Sequence, residues 1–324
     1  MWKPVLSSLP FLLLVACSSS ASSEGTEFPT ERMELIAPAS PGGGWDMTAR
    51  SVHRAMTNDD IITQDFNVEN MPGGGGEVGW QYLQRQDAHS TSVNSSLLLT
   101  NNLLGQSDLS YEDFTPIAML LTEWIAWATA SNADVQDADE LISQLQDDPE
   151  SLIFGLSPAL GSGYHLSTSQ IAMLSGVEPR DLQVLVYDSG GEAMNALLGG
   201  HIDILVNSMS VLSSQYEAGE IDIHAVTSPE RLEMFPDVPT WQELGVDIEF
   251  PHWRGVMGPP DMTEEEIAQY DEWFGEMAES DQWQRDLESN MFFDFYMDSE
   301  ETKAFLEEQD ALFNDIIESV GLMP

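Results

Sequence analysis

The sequence predicts an α/β protein in which mostly parallel sheets are covered by helices on both faces. Its 324 residues suggest about two domains. Short apolar, β-branched runs alternate with amphipathic segments, which is typical of βα units. Gly-rich turns separate these segments, and hydrophobic residues make up 42% of the chain, so a packed core is expected.

Nine short apolar segments are predicted as strands, and eight amphipathic segments are predicted as helices. The predicted strands are residues 33–37, 66–69, 93–99, 117–121, 124–129, 152–156, 182–187, 203–207 and 221–226. The helices are predicted to begin near Asp46, Glu77, Ala138, His165, Glu192, Val211, Glu264 and Glu300. After Pro251 the pattern is mainly helical, and Asp298 with Glu301 predicts an acidic cap for the last helix.

The N-terminus has the pattern of a targeting signal. Lys3 precedes an apolar run over residues 5–16, which is too short to span a bilayer. Small residues then lead to Cys17, the only cysteine. This resembles a lipoprotein signal peptide and its lipobox, over residues 1–17. It predicts cleavage before Cys17, which becomes the lipidated N-terminus; an ordinary secretory signal is the alternative. Residues 18–27 are small and polar and are predicted to form a flexible tether.

The charge of the chain is strongly negative. Ten Lys and Arg residues stand against 56 Asp and Glu residues, which gives a net charge of −46. A nucleic-acid partner is excluded, because phosphate binding needs a basic surface. The acidic residues are spread along the chain, which predicts a protein adapted to concentrated salt. A mildly acidic protein from ordinary surroundings is the alternative.

Two Gly-rich loops are the main candidates for a binding site. The first Gly loop (residues 38–44) contains Gly42-Gly43-Gly44, and the second Gly loop (residues 71–76) contains Gly73-Gly74-Gly75-Gly76. Each lies between a predicted strand and a predicted helix. Glycine lets backbone N–H groups approach an anion, and the helix N-terminus adds partial positive charge. The alternative is a pair of tight turns without a ligand.

Motifs for cofactors and catalysis are weak or missing. Gly74-x-Gly76-x-x-Gly79 matches a dinucleotide fingerprint, but no acidic residue follows about 20 positions later. Neither Gly loop continues into Gly-Lys-Ser/Thr, and no Gly-x-Ser-x-Gly motif is present. The histidines lack close metal-ligand spacing. The sequence therefore predicts no cofactor, no metal and no enzyme activity.

Residues 33–324 resemble a known family, the extracytoplasmic receptors of tripartite tricarboxylate transporters, of the TctC or Bug type. The motifs that carry the resemblance extend along the whole chain. They are Pro38-x-x-Pro41-Gly42-Gly43-Gly44-x-Asp46-x-x-x-Arg50, Glu69-Asn70-x-Pro72-Gly73-x-Gly75-Gly76-x-x-Gly79, Gly161-x-Gly163-x-His165, Tyr187-x-x-Gly190-Gly191, residues 197–203, Val238-Pro239-Thr240-x-x-Glu243-x-Gly245 and Trp253-Arg254-Gly255. One departure is Gly74, where the family often has alanine.

The resemblance implies a two-lobe, periplasmic-binding-protein-like clamshell of type II character. Lobe 1 is expected over residues 28–125 and 230–324, and lobe 2 over residues 126–229. The implied function is capture of a small carboxylate anion for the membrane permease subunits of a tripartite tricarboxylate transporter. A tricarboxylate such as citrate is favoured, since Trp45 is similar to the tricarboxylate branch, and a dicarboxylate is next. The implied receptor is a monomer outside the cytoplasm, anchored to the membrane by lipid.

The resemblance also assigns candidate ligand contacts. Those from lobe 1 are Pro41, Gly43, Gly44, Trp45, Asp46, Gly74, Gly75, Gly76 and Asn101. Those from lobe 2 are Ser157, Gly161, Ser162, His165, Ser189, Gly190 and Asn207. For Asp46, a helix cap is an equal alternative to ligand contact. For His165, a structural role at the start of a helix is an equal alternative. Arg50, Arg180 and Arg254 are further candidates for an ion pair with the ligand.

Two other functions remain open at this level. A sensory subunit that presents the same ligand to a membrane histidine kinase needs the same closing clamshell. An enzyme on this scaffold is the more remote alternative.

Overall fold

The computed structural model describes residues 28–135 and 137–322; the predicted signal, Cys17 and the tether at 18–27 lie outside these residues. The strands are β1 (Met33–Ala37), β2 (Phe66–Asn70), β3 (Ser90–Ser95), β4 (Thr115–Ala130), β5 (Ile153–Leu156), β6 (Gln183–Val186), β7 (Ile204–Ser208), β8 (Ile221–Val226), β9 (Pro251–Gly258) and β10 (Phe293–Met297). The helices are α1 (Gly44–Asn58), α2 (Glu77–Leu83), α3 (Ser96–Leu103), α4 (Ala138–Asp147), α5 (Gly163–Leu174), α6 (Gly190–Leu198), α7 (Met209–Glu217), α8 (Glu264–Glu279), α9 (Asp281–Asn290) and α10 (Ser299–Ser319).

The strands form two sheet parts with the same arrangement: three parallel strands followed by two that pair antiparallel. The order of the second part is β6-β5-β7-β4-β8. In the first part the order is β2-β1-β3-β9-β4. Strands β1, β2 and β3 are parallel, and β9 runs antiparallel between β3 and β4. In the second part β6, β5 and β7 are parallel, and β4 runs antiparallel between β7 and β8. Each part thus has three parallel strands that end at one edge.

Strand β4 belongs to both sheet parts. Its Trp124 pairs with Pro251 in the first part, and the next residue, Ile125, pairs with Ser208 in the second. The chain therefore changes sheet within one extended strand. The α/β class is confirmed, and the sheets are mixed: β1, β2 and β3 are parallel to one another, as are β5, β6 and β7, whereas β4, β8, β9 and β10 pair antiparallel.

Several predicted elements were wrong. Residues 117–121 and 124–129 were predicted as separate strands because Thr122 and Glu123 interrupt the apolar run, but both polar residues are buried within β4. The predicted strand at 93–99 ends at Ser95, whose side chain accepts a hydrogen bond from the N–H of Leu97 and begins α3. Strands β9 and β10 were missed, because the region after Pro251 reads as helical.

Helices cover both faces of the sheets and enclose the core. Phe274 and Met277 of α8 are buried on one face of the first part. Leu306 and Phe313 of α10 are buried in the cluster on the other face. The predicted cap of α10 is confirmed, since Asp298 accepts from the N–H of Glu301 at 2.9 Å. Among the described residues, no helix is long and apolar enough to cross a membrane.

Candidate functional site

The carboxyl ends of β1, β2 and β3 place three helix N-termini at one edge of the first sheet part. The first Gly loop leads from β1 into α1, the second leads from β2 into α2, and α3 follows β3 directly. Helix N-termini carry unpaired N–H groups and partial positive charge. Both Gly loops lie at this edge, each at the start of a helix.

The carboxylate of Asp46 holds the first Gly loop in place. It accepts from the N–H of Gly42 at 2.7 Å, from Nδ2 of Asn70 at 2.8 Å and from Nε of Arg50 at 3.0 Å. Burial alone would raise the pKa of Asp46, but the hydrogen bonds from Arg50, Gly42 and Asn70 hold its pKa below the usual value. Both oxygens are occupied, which favours a loop-positioning role for Asp46 over contact with a ligand.

Asp46, Asn70 and Arg50 together form a hydrogen-bonded brace for the first Gly loop. Asn70 also donates to the carbonyl of Ala39 at 3.0 Å, and Arg50 donates to Oδ1 of Asn70 at 3.1 Å. The brace ties the first Gly loop to the end of β2. Asn70 was not among the predicted ligand contacts; its signal in the sequence was its place in the motif before the second Gly loop.

The second Gly loop depends on glycine for its backbone. Gly73, Gly74, Gly75 and Gly76 all have positive φ, from 60° to 134°. A side chain is disfavoured there, because L-residues clash in left-handed conformations. Nδ2 of Asn101 donates to the carbonyl of Gly75 at 3.3 Å and so links α3 to this loop.

Two tryptophans in the helices that follow the Gly loops pack against each other. The rings of Trp45 and Trp80 lie 5.6 Å apart between centroids. Trp80 is buried and donates to the carbonyl of Val93 at 3.1 Å. A Cβ at Gly76 would lie 2.6 Å from the Trp80 ring, so glycine is required there for contact as well as for φ. Pro41, Gly74 and Gly75 are exposed at the surface of the loops.

In the second sheet part, the chain from the end of β5 into the first turn of α5 carries four predicted contacts. Ser157, Gly161, Ser162 and His165 are all buried. The N–H of Gly161 donates to Nδ1 of His165 at 3.1 Å. Burial lowers the pKa of His165 to about 4, so the imidazole is neutral at pH 7 and carries its proton on Nε2. A ligand at this site would therefore meet a neutral His165 and not a positively charged one.

The remaining predicted contacts lie at the starts of α6 and α7. The hydroxyl of Ser189 accepts from the N–H of Glu192 at 3.2 Å and caps α6. Oδ1 of Asn207 accepts from the N–H of Ser208 at 2.9 Å. Its Nδ2 is buried beside Gly190, where a Cβ would lie 2.6 Å from it, and has no hydrogen-bond partner among the described residues.

The loops of the two sheet parts are in contact. A Cβ at Gly161 would lie 2.4 Å from Cδ1 of Leu104, just beyond α3. Near this contact, the hydroxyls of Thr100 and Ser162 are buried without a hydrogen-bond partner in the described chain. Two surface cavities, of about 490 and 600 Å³, are lined by other residues and include none of the predicted contacts.

The candidate arginines occupy different environments. Arg180 is exposed and pairs with Glu178 at 3.0 Å, and Arg50 pairs with Asp46. Arg254 is buried, pairs with Glu123 and packs against Gly44 of the first Gly loop. Of the three, only Arg254 lies beneath the predicted site.

Among residues 28–135 and 137–322, no group of three or more His, Cys, Asp or Glu side chains is arranged to hold a metal ion.

Comparison with known proteins identifies the family. A sequence model described as "Tripartite tricarboxylate transporter family receptor", TctC, matches residues 48–322. The chain belongs to this family. Its members are periplasmic solute-binding receptors, so the predicted resemblance is confirmed.

Curated relatives of this receptor are distant but extend over most of its length. Protein BugT of Bordetella pertussis is 27% identical over 255 residues, which is 76% of each chain. A protein encoded near gbd in Cupriavidus necator is 24% identical over 305 residues, covering 93% of this chain and 91% of the relative.

Solved structures confirm the periplasmic-binding-protein-like fold of the receptor. R. palustris Rpa4515, solved with adipate, has a TM-score of 0.78 and 24% identity over 92% of this chain and 99% of its own. MatC of Rhodopseudomonas palustris, with bound malate, has a TM-score of 0.73 and 20% identity over 90% of this chain and 100% of its own. A TctC solute-binding protein from Polaromonas has a TM-score of 0.75 and 24% identity over 90% and 99%.

Proposed function

We propose that this receptor captures a small carboxylate anion between two lobes and delivers it to the permease of a tripartite tricarboxylate transporter. In this proposal the two sheet parts are the cores of the lobes. Lobe 1 is residues 28–125 with 230–324, and lobe 2 is residues 126–229. The chain crosses between the lobes in β4 and again just after β8, and the lobes close on the ligand by bending at these crossings.

The observation that carries the proposal is a set of buried polar atoms at the facing loops. Oγ1 of Thr100, Oγ of Ser162 and Nδ2 of Asn207 have no hydrogen-bond partner in the described chain. Buried polar groups in folded proteins are nearly always hydrogen-bonded. Ser162 is the N-cap of α5 and Asn207 precedes the N-cap of α7, so both lie at helix N-termini, where backbone N–H groups favour an anion. A carboxylate, alone or with bridging water, supplies the acceptors that such donors require.

The ligand class follows from chemistry and from the solved relatives. A carboxylate suits a site built from neutral donors, since hydrogen bonds to a charged acceptor are stronger than neutral ones. Rpa4515 and MatC hold adipate and malate, which are dicarboxylates. We therefore place dicarboxylates beside citrate at the head of the candidate ligands.

The setting of the receptor belongs to the same proposal. Cys17 carries lipid and holds a monomeric receptor at the outer face of the cytoplasmic membrane or in the periplasm. The acidic surface keeps the protein soluble in concentrated salt, where cations screen its self-repulsion.

Thermal unfolding with single organic acids tests the proposal. Malate, adipate and citrate are added separately in 1 M salt, with the uncharged methyl ester of each acid as its control. A ligand at 100 times its dissociation constant raises the free energy of unfolding by roughly 2.7 kcal/mol. At least one acid is expected to stabilise the protein while its ester does not. Stabilisation by none of a broad panel of organic acids would remove the proposed function.

A further inference from the structure

A buried ion pair lies where β4 passes from one sheet part to the other. Nη2 of Arg254 in β9 donates to Oε2 of Glu123 in β4. Both side chains are almost completely buried, at 8% and 4% exposure. A buried ion pair is weak evidence for stability, because removing two charges from water offsets most of their attraction. The pair therefore calls for a role beyond holding the fold.

The positive end of the pair faces the first Gly loop. A Cβ at Gly44 would lie 2.7 Å from Nη2 of Arg254, so the guanidinium packs directly under the start of α1. Nη1 of Arg254 also lies 3.4 Å from Oγ1 of Thr48, and that hydroxyl donates to the carbonyl of Gly44 at 3.0 Å. The charge of Arg254 thus adds to the positive potential of the helix N-terminus above it.

The negative end of the pair faces lobe 2. The hydroxyl of Ser210 in α7 donates to Oε1 of Glu123. Ser208 and Ser210 have their hydroxyl oxygens 2.8 Å apart. Because Ser210 gives its single proton to Glu123, Ser208 is the donor in this contact. Ser208 follows Asn207, whose Nδ2 is one of the unpartnered atoms of the proposed site.

The contacts form one continuous path between the lobes. It runs from the first Gly loop through Arg254 and Glu123 to Ser210 and then Ser208. The N–H of Ser208 in turn donates to Oδ1 of Asn207. Burial alone would raise the pKa of Glu123, but Arg254 and the hydroxyl of Ser210 hold its pKa below the usual value. Glu123 is therefore ionised, and its bond to Ser210 is charge-assisted.

We propose that Glu123 and Arg254 are positioning residues that couple anion binding on the first Gly loop to closure of lobe 2, with the Ser210–Glu123 hydrogen bond as the closing contact. This inference rests on the proposed function. The pair turns its positive end, Arg254, towards the first Gly loop and so favours a carboxylate there, while Glu123 fixes Arg254 in place and holds α7 against lobe 1. Neither side chain needs to touch the ligand.

The test compares Ser210→Ala with Ser214→Ala in the full chain. Both serines lie in α7, but Ser214 is exposed, and its hydroxyl donates to its neighbour Gln215, at 2.7 Å, instead of to lobe 1. Affinities for malate, adipate and citrate are measured by calorimetry, and the radius of gyration is measured by solution scattering with and without each acid. Ser210→Ala is expected to weaken binding about tenfold or more, as for the loss of a hydrogen bond to a charged group. It is also expected to have a larger radius of gyration than Ser214→Ala, with or without ligand.

A double-mutant cycle separates coupling from general damage. In a Glu123→Gln background the serine donates to a neutral acceptor, so Ser210→Ala is expected to weaken binding only about threefold or less. Equal scattering curves for Ser210→Ala and Ser214→Ala, or an unchanged affinity for an acid that binds the wild type, would overturn the inference. If none of the three acids binds the wild type, the proposed function loses its support while the scattering of the ligand-free variants still decides the role of the contact.

Discussion

Replacing Gly75 with alanine is expected to weaken both the fold and ligand binding, whereas alanine at a matched glycine outside the site weakens the fold alone. Gly75 has a φ of +63° in the second Gly loop. An L-residue in this left-handed conformation costs about 1–2 kcal/mol. The added Cβ would also lie 3.2 Å from Nδ2 of Asn101, the atom that donates to the Gly75 carbonyl. The substitution therefore strains the loop and pushes against the side chain that holds it to α3.

Gly219 offers a matched control for the backbone cost. It has a φ of +70° in the turn after α7, and an added Cβ there would meet no atom within 4 Å. Both alanine variants are expected to lose about 1–2 kcal/mol of the free energy of unfolding. Of the two, Gly75→Ala is the variant that shifts the N–H groups proposed to face the anion. Each hydrogen bond contributes about 0.5–1.5 kcal/mol, so weakening two of them reduces affinity by roughly tenfold.

The two quantities are measured separately. Urea denaturation gives the free energy of unfolding, and calorimetric titration in 1 M salt gives the affinity for the acid that stabilises the wild type. Wild-type affinity is expected in Gly219→Ala. If Gly75→Ala also binds as tightly as the wild type, the second Gly loop does not hold the ligand and the reasoning is wrong.

Three further predictions concern charge and pH. Asp46→Asn is expected to lose about 1.5–3 kcal/mol of the free energy of unfolding at pH 7, because one amide oxygen cannot accept all the hydrogen bonds that the two carboxylate oxygens now accept. Urea denaturation checks this, with the exposed Arg180→Gln as control. Equal losses in the two variants would contradict it. Burial lowers the pKa of His165 from 6.5 to about 4, so the unfolded chain binds a proton that the folded protein does not, and stability falls as pH drops from 6.5 towards 4. In His165→Asn the fall near pH 5 is expected to be shallower by about 1.4 kcal/mol per pH unit, and an unchanged slope would show that His165 is not the group responsible. Stability and ligand association rate are both expected to rise with salt between about 0.01 and 1 M, where the Debye length shrinks from roughly 30 to 3 Å; a stopped-flow rate that falls with salt would indicate a cleft more positive than its donors imply.

The local parts of the architecture could be predicted from the sequence. The starts of α2 at Glu77, α4 at Ala138 and α8 at Glu264 agree with the structure. Their signals are caps and amphipathic periodicity, which depend on neighbours within one or two turns. The Gly loops were found for the same reason, since runs of glycine at strand ends are rare and costly unless positive φ is needed.

The parts that depend on strand pairing could not be predicted. Strand β4 contains Thr122 and Glu123, polar residues that end a strand when only the local pattern is considered. They are buried because β9 lies beside β4 and brings Arg254 to Glu123, 131 positions away. Likewise, the neutral state of His165 follows from its burial in the folded chain rather than from its neighbours in sequence.

A chain of net charge −46 that binds an anion has to separate two electrostatic tasks. The surface carries the acidic charge, which salt screens over a few ångströms. The site has to attract the ligand over that same short distance, where only groups in contact with it still act. An exposed lysine or arginine beside the cleft would be drawn into pairs with the abundant surface carboxylates, as Arg180 is with Glu178. Backbone N–H groups cannot be neutralised in this way. Arg254 is already paired with Glu123, but burial under Gly44 keeps the positive end of that pair turned towards the first Gly loop. Positive potential built from backbone N–H groups, with the oriented Arg254–Glu123 pair beneath them, therefore remains directed at the ligand even when the rest of the molecule is acidic.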